Sequence, residues 1–122
     1  MKVMSFNVLC GGKGKNWWTK RKPLVRDVIR RYDPDTFGLQ EAHYRWMNYL
    51  CKELGDTYDY VGVGRDNGKR QGEFSPVFYK KDKYEVVEKG NFWLSETPEK
   101  PGKGWDAACI RICSYAVLKD KA

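Results

Sequence analysis

Residues 33–42 read DPDTFGLQEA: a turn signal, a short run with the composition of a buried strand, and a glutamate at the end of that run. Asp-Pro-Asp closes any helix before it, because proline cannot continue a helix and disfavours helical geometry in its predecessor. The run TFGLQ at 36–40 has the length and the β-branched, aromatic and aliphatic content of a core strand. Glu41 then stands where burial is costly unless a cation or hydrogen-bond donors offset the desolvation. Something must face that carboxylate.

Upstream, Leu24, Val25, Val28, Ile29 and Tyr32 recur at helical spacing, and Pro23 suits the first turn of a helix, where its missing N–H is not needed. The segment KVMSFNVL at 2–9 alternates, with Met4, Phe6 and Val8 on one side and Ser5 and Asn7 on the other, which predicts a first strand. Strand, helix and strand at this spacing make a parallel β-α-β unit. Downstream, Trp46, Met47, Leu50, Cys51 and Leu54 share a helix face that Gly55 terminates. YDYVGVG at 58–64 predicts a third strand. FSPVFYK and YEVVEKGNFW, on either side of KDK, predict an antiparallel hairpin, with Pro76 placing the first at an edge or bulge. A Pro/Gly-rich loop from Ser95 to Trp105 leads into AACIRICSYAVLKD, a closing strand that is largely apolar on both faces.

Two helices cover one face of a five- or six-stranded sheet and leave the other open unless a second layer packs on it. The pattern therefore implies that the chain is incomplete or pairs with something. Its 122 residues fit one domain. No apolar window approaches the ~20 residues that a membrane-spanning helix requires.

Net charge is +7, which suits an anionic partner such as a nucleic acid or another phosphate compound and equally suits simple solubility. Part of the excess lies in KGKNWWTKRK at 13–22, which has no acidic residue. Lys20 and Arg21 beside Trp17 and Trp18 make a candidate substrate-binding group, with cations for phosphates and rings for stacking. A solvated loop whose tryptophans tuck into the core explains the same composition. Cys10, Cys51, Cys109 and Cys113 match no zinc-motif spacing. As free thiols they favour a reducing, cytoplasmic compartment, with secretion open if a signal peptide has been removed.

The blocks SFNV, DPDTFGLQEA, GEFSPVFYK, FWLSETPEKPGKGWD and RICSYAVL stand in the order and at about the spacing of the endonuclease/exonuclease/phosphatase superfamily. The chain resembles the N-terminal half of such a domain over essentially all of 1–122. The resemblance implies an α/β layered sandwich: half of a four-layer αββα DNase I-like fold, with one mixed sheet and helices on one face. It also implies a metal-dependent phosphodiesterase or phosphatase that hydrolyses a phosphate ester, with Mg²⁺ or Mn²⁺ as cofactor.

Asn7 in SFNV and Glu41 in LQEA fall on the metal-site positions of that family, so the awaited partner of Glu41 becomes a hard cation. Arg111 falls on a phosphate-clamping arginine, with an internal salt bridge to Glu41 or Glu73 as the alternative. Glu73 matches another family block, which implies support of the site from behind, with a loop glutamate in water as the alternative. His43 reads as a surface residue, because the family's catalytic histidine belongs to a later block. The family's Gly-Asp-x-Asn and Ser-Asp-His blocks, which activate water and bind the phosphate, have no counterpart here.

The expectation is thus an inactive fragment, completed by the other half or by a second copy that covers the open face. The substrate expected for the parent is a nucleic acid or nucleotide, with inositol phosphates, phospholipids and sugar phosphates as alternatives. A non-catalytic binding or self-associating module is the reading from another class.

Overall fold

In the computed structural model, which describes residues 1–122, the chain forms six strands, two α-helices and a short 3-10 turn at Gly14–Asn16. The strands and α-helices are β1 (Val3–Asn7), α1 (Trp18–Tyr32), β2 (Thr36–Gln40), α2 (Tyr44–Leu54), β3 (Tyr58–Val61), β4 (Val77–Lys80), β5 (Tyr84–Trp93) and β6 (Ile112–Asp120). A four-stranded mixed sheet runs in the order β1-β2-β4-β3, and β5 and β6 form a separate two-stranded ribbon. The expected α/β architecture is present, with its last two strands outside the main sheet.

β1 and β2 are parallel in the register Val3↔Thr36 to Asn7↔Gln40. The alternation read from the sequence holds: Ser5 and Asn7 are exposed while Val8, just past the strand, is fully buried. Val25 and Ile29 of α1 and Trp46, Met47, Leu50 and Leu54 of α2 cover one sheet face, against Phe37, Leu39 and Phe78. Phe37 and Phe78, cross-strand partners, stack with ring centroids 4.6 Å apart. Cys51, expected on that inner face, is exposed.

Three readings change. Helix α1 begins at Trp18, and Pro23 lies inside it; the residues from Trp18 to Lys22 form a first turn and more of helix, so proline forgoes one interior hydrogen bond. The helix ends as expected, with Asp33 in the left-handed region at φ 46° and its N–H on the Ile29 carbonyl.

The hairpin at KDK is not a β ladder. A tight turn exists, with Lys83 N–H donating to Lys80 O at 3.1 Å, but β4 pairs with β2 and β3 while β5 pairs with β6. β4 is therefore central, and Pro76 sits just before it, where its carbonyl accepts from Leu39 N–H at 3.2 Å and its missing donor breaks no ladder bond.

The closing strand is shorter than AACIRICSYAVLKD, and the ribbon is partly open to solvent, with Val87, Phe92, Tyr115 and Val117 exposed. It packs on the second sheet face through a small cluster of Val61, Tyr79 and Tyr84 with Val86, Ala116 and Leu118. The β1–β2 side of that face stays open, with Val3, Ser5 and Asn7 exposed.

Candidate functional site

Parallel pairing of β1 and β2 brings the loops after both strands to the same end of the sheet. Val8 N–H extends the ladder to Gln40 O at 3.1 Å, so residues 7–10 and 41–43 are held side by side. Two arginines fix the first loop by its carbonyls: Arg21 Nη1 donates to Val8 O at 2.6 Å and Arg45 Nη2 to Cys10 O at 3.2 Å. Phe74 N–H donates to Ala42 O at 2.7 Å, which carries Glu73 to the same place.

Asn7 Oδ1 accepts from Leu9 N–H at 3.0 Å, and Cys10 Sγ donates to Glu41 Oε1 at 3.3 Å. Leu9 and Glu41 both lie in the left-handed backbone region, each at φ 61°. For residues with a Cβ this conformation costs about 1–2 kcal/mol and persists where surrounding structure enforces it, often at functional sites. No lysine or arginine pairs with Glu41. Its carboxyl is nevertheless held below its ordinary value, chiefly by the neighbouring Asn7 amide and then by Cys10. The charge is thus set chiefly by neutral donors, with His43 nearby and no lysine or arginine paired to it. One carboxylate and one amide oxygen are the donor types that hard divalent cations take.

Burial first, then hydrogen bonding to Glu41 and Glu73, pushes the Cys10 thiol up to about 11. Glu73 Oε2 takes Arg65 Nη1 at 2.9 Å, and Arg65 Nε also reaches Asp66 Oδ1 at 3.1 Å. Glu73 thus stands beside the site and already holds a cation. His43, expected at the surface, is half-buried at the N-cap of α2. Its ring lies close to Cys10 and Glu73. Cys10 and His43 were missed because no motif joins them. The register offered a signal, since Cys10 follows Asn7 by the same three residues that separate His43 from Gln40.

The basic loop divides. Trp17 is exposed, whereas Trp18 packs edge-on against buried Trp46 with centroids 5.9 Å apart. Lys22 lies 4.7 Å from the centre of the Trp18 ring, and Arg45 lies 5.0 Å from the ring centres of Trp17 and Trp18. Arg21 is committed to Val8, while Lys20 is exposed. Arg111 is exposed on the loop before β6 and makes no ion pair, so the internal salt bridge to Glu41 or Glu73 does not form.

A model of the endonuclease/exonuclease/phosphatase family matches residues 4–104. The chain belongs to that family. Among solved structures, a member of the family from Bacteroides thetaiotaomicron superposes with a TM-score of 0.92 at 42% identity, over 99% of this chain and 44% of its own. A mannosyl-6-phosphatase from Bacteroides thetaiotaomicron gives the same score and identity, over 99% of this chain and 46% of its own. A conserved protein of unknown function from Enterococcus faecalis V583 gives 0.91 at 28% identity, over 99% and 48%. The chain spans less than half the length of each of these three structures. No curated protein matches it. The match carries the mixed sheet, the β5–β6 ribbon and both α-helices onto part of a DNase I-like fold, as the order of the blocks implied.

Proposed function

We propose that residues 1–122 form the N-terminal half of a metal-dependent phosphate-ester hydrolase and carry the first part of its metal and phosphate site. The observation that carries this reading is Glu41: an ionised carboxylate with no lysine or arginine partner, held on a strained backbone beside Asn7, at the strand ends where open α/β sheets bind ligands. Glu41 and Asn7 hold Mg²⁺ or Mn²⁺ in this reading. When bound, such an ion polarises a phosphoryl oxygen and stabilises charge on the leaving oxygen.

The chain's own residues do the rest of their half. Asn7 stabilises ionised Glu41 and, with Leu9 N–H on its oxygen, keeps one orientation. Arg111, exposed and without an internal partner, binds phosphate oxygens. Glu73 takes no substrate contact and holds Arg65 at the back of the site. The groups that activate water belong to the other half of the family domain, which also covers the open β1–β2 face, and 1–122 alone turns over little substrate.

The substrate favoured is a phosphorylated sugar, because a mannosyl-6-phosphatase shares 42% identity with nearly the whole chain. The nucleic-acid reading rests on Trp17 and Lys20, which stay exposed while Trp18 and Arg21 serve the fold. Hydrolysis of mannose 6-phosphate and of a dinucleotide by the protein containing both halves, with and without Mg²⁺, separates the two. The expected result is Mg²⁺-dependent release of phosphate from the sugar, reduced about 100-fold or more in Glu41→Gln and raised in KM by Arg111→Ala. Preference for the dinucleotide would replace the sugar by a nucleotide, and full activity in Glu41→Gln would remove the metal site from Glu41.

A further inference from the structure

Next to the oxygen donors lies a second group of different chemistry. One ligand atom each from Cys10, His43 and Glu73 lies within 4.8 Å of the other two, and all three residues are half-buried. We propose that Cys10, His43 and Glu73 form a binding site for Zn²⁺ or a cation of like softness, distinct from the oxygen site at Asn7 and Glu41. A thiolate, an imidazole and a carboxylate are zinc ligands, and sulfur in the set selects against Mg²⁺. Three protein ligands leave a fourth tetrahedral position for water.

The geometry needs little movement. Zn–S is about 2.3 Å and Zn–N about 2.0–2.1 Å, so tetrahedral ligand atoms stand roughly 3.5 Å apart. Cys10 is on a loop followed by Gly11, around which there is open space, and Gly12. The His43 ring makes no hydrogen bond within the chain that would have to break. Arg65 uses Oε2 of Glu73, and the carboxylate has a second oxygen. On binding, the Cys10 thiol proton leaves to buffer as the Zn–S bond forms, and the hydrogen bond to Glu41 is given up.

The register explains how the site arises from sequence positions so far apart. Parallel pairing of Asn7 with Gln40 aligns the third residue after each, and the Phe74–Ala42 bridge adds the residue before Phe74. No part of the site depends on the phosphate-ester reading.

The test is competition between the 122-residue chain and a chromophoric chelator for Zn²⁺ under reducing conditions. The expected result is one Zn²⁺ per chain, with affinity reduced about 10-fold or more by Cys10→Ser and by His43→Ala, and unchanged by Cys51→Ser. Substitution by Co²⁺ gives a second readout: a thiolate-to-cobalt charge-transfer band present in the wild type and in Cys51→Ser and absent from Cys10→Ser. No bound zinc in the wild type, equal affinity in Cys10→Ser, or a loss in Glu41→Gln as large as in Cys10→Ser would each overturn the site.

Discussion

Strand β2 has a carboxylate at each end, and the two are treated oppositely. Asp35, just before Thr36, accepts from Lys2 N–H at 2.6 Å and from Lys83 Nζ at 2.8 Å, with Lys80 Nζ at 3.8 Å. Hydrogen bonding from Lys83 and then from the Lys2 backbone holds its carboxyl down at about 2. Glu41, just past Gln40, has the Asn7 amide, the Cys10 thiol and backbone and the nearby His43, no lysine or arginine, and a backbone in the left-handed region. A carboxylate that serves the fold is neutralised by the fold. One left ionised, without a lysine or arginine and on a strained backbone, is what the proposed metal site requires.

The strand between them sets the scale of the largest effect. Phe37→Ala empties a fully buried site stacked on Phe78 and edge-on to Tyr58, and should cost about 3–5 kcal/mol in urea unfolding. A loss under about 1 kcal/mol would mean that the sheet positioning both carboxylates is not the stable part of the molecule.

Next in size is the contrast between the ends. Asp35→Asn should lower Tm, because Lys83 and Lys2 lose their acceptor charge, whereas Glu41→Gln should leave Tm nearly unchanged. The acid limb sharpens this. Asp35 has its folded value near 2, against an ordinary value of 3.8. Its stabilisation is therefore complete above the ordinary value and lost as pH falls through about 2. Wild type should lose stability between about pH 4 and 2 more steeply than Asp35→Asn, and superposable acid limbs would contradict the pairing.

The smallest effect expected is at Glu41 itself. Asparagine tolerates the left-handed region better than glutamate, so Glu41→Asn should raise stability by a few tenths of a kcal/mol while weakening any cation site. A clear destabilisation would make Glu41 structural, like Asp35.

Much of this was legible in the sequence where local signals agree. TFGLQ, bounded by Asp-Pro-Asp, is β2 residue for residue, and the spacing of Trp46, Met47, Leu50 and Leu54 marks the buried face of α2. What failed was non-local. KDK between two β-rich runs has the local appearance of a hairpin turn, but β4 finds better partners in β2 and β3, both earlier in the chain. Helix α1 reaches back past Pro23 because Trp18 packs on Trp46, a tertiary contact that no window over 13–22 contains. In the site, Glu41 stood out as a charge ending an apolar run. Asn7 carried no such signal without the family resemblance, and Cys10 and His43 meet only through the parallel register. Arg111 looked strand-bound because apolar residues flank it, yet β6 begins one residue later.

The most direct test of the contrast is Mn²⁺ binding by the 122-residue chain, followed by the loss of the free-ion paramagnetic resonance signal, in wild type, Asp35→Asn and Glu41→Gln. Weak binding that is kept in Asp35→Asn and reduced about 10-fold or more in Glu41→Gln, with Glu41→Gln melting as the wild type does, is the predicted result. Equal Mn²⁺ binding by wild type and Glu41→Gln would contradict it.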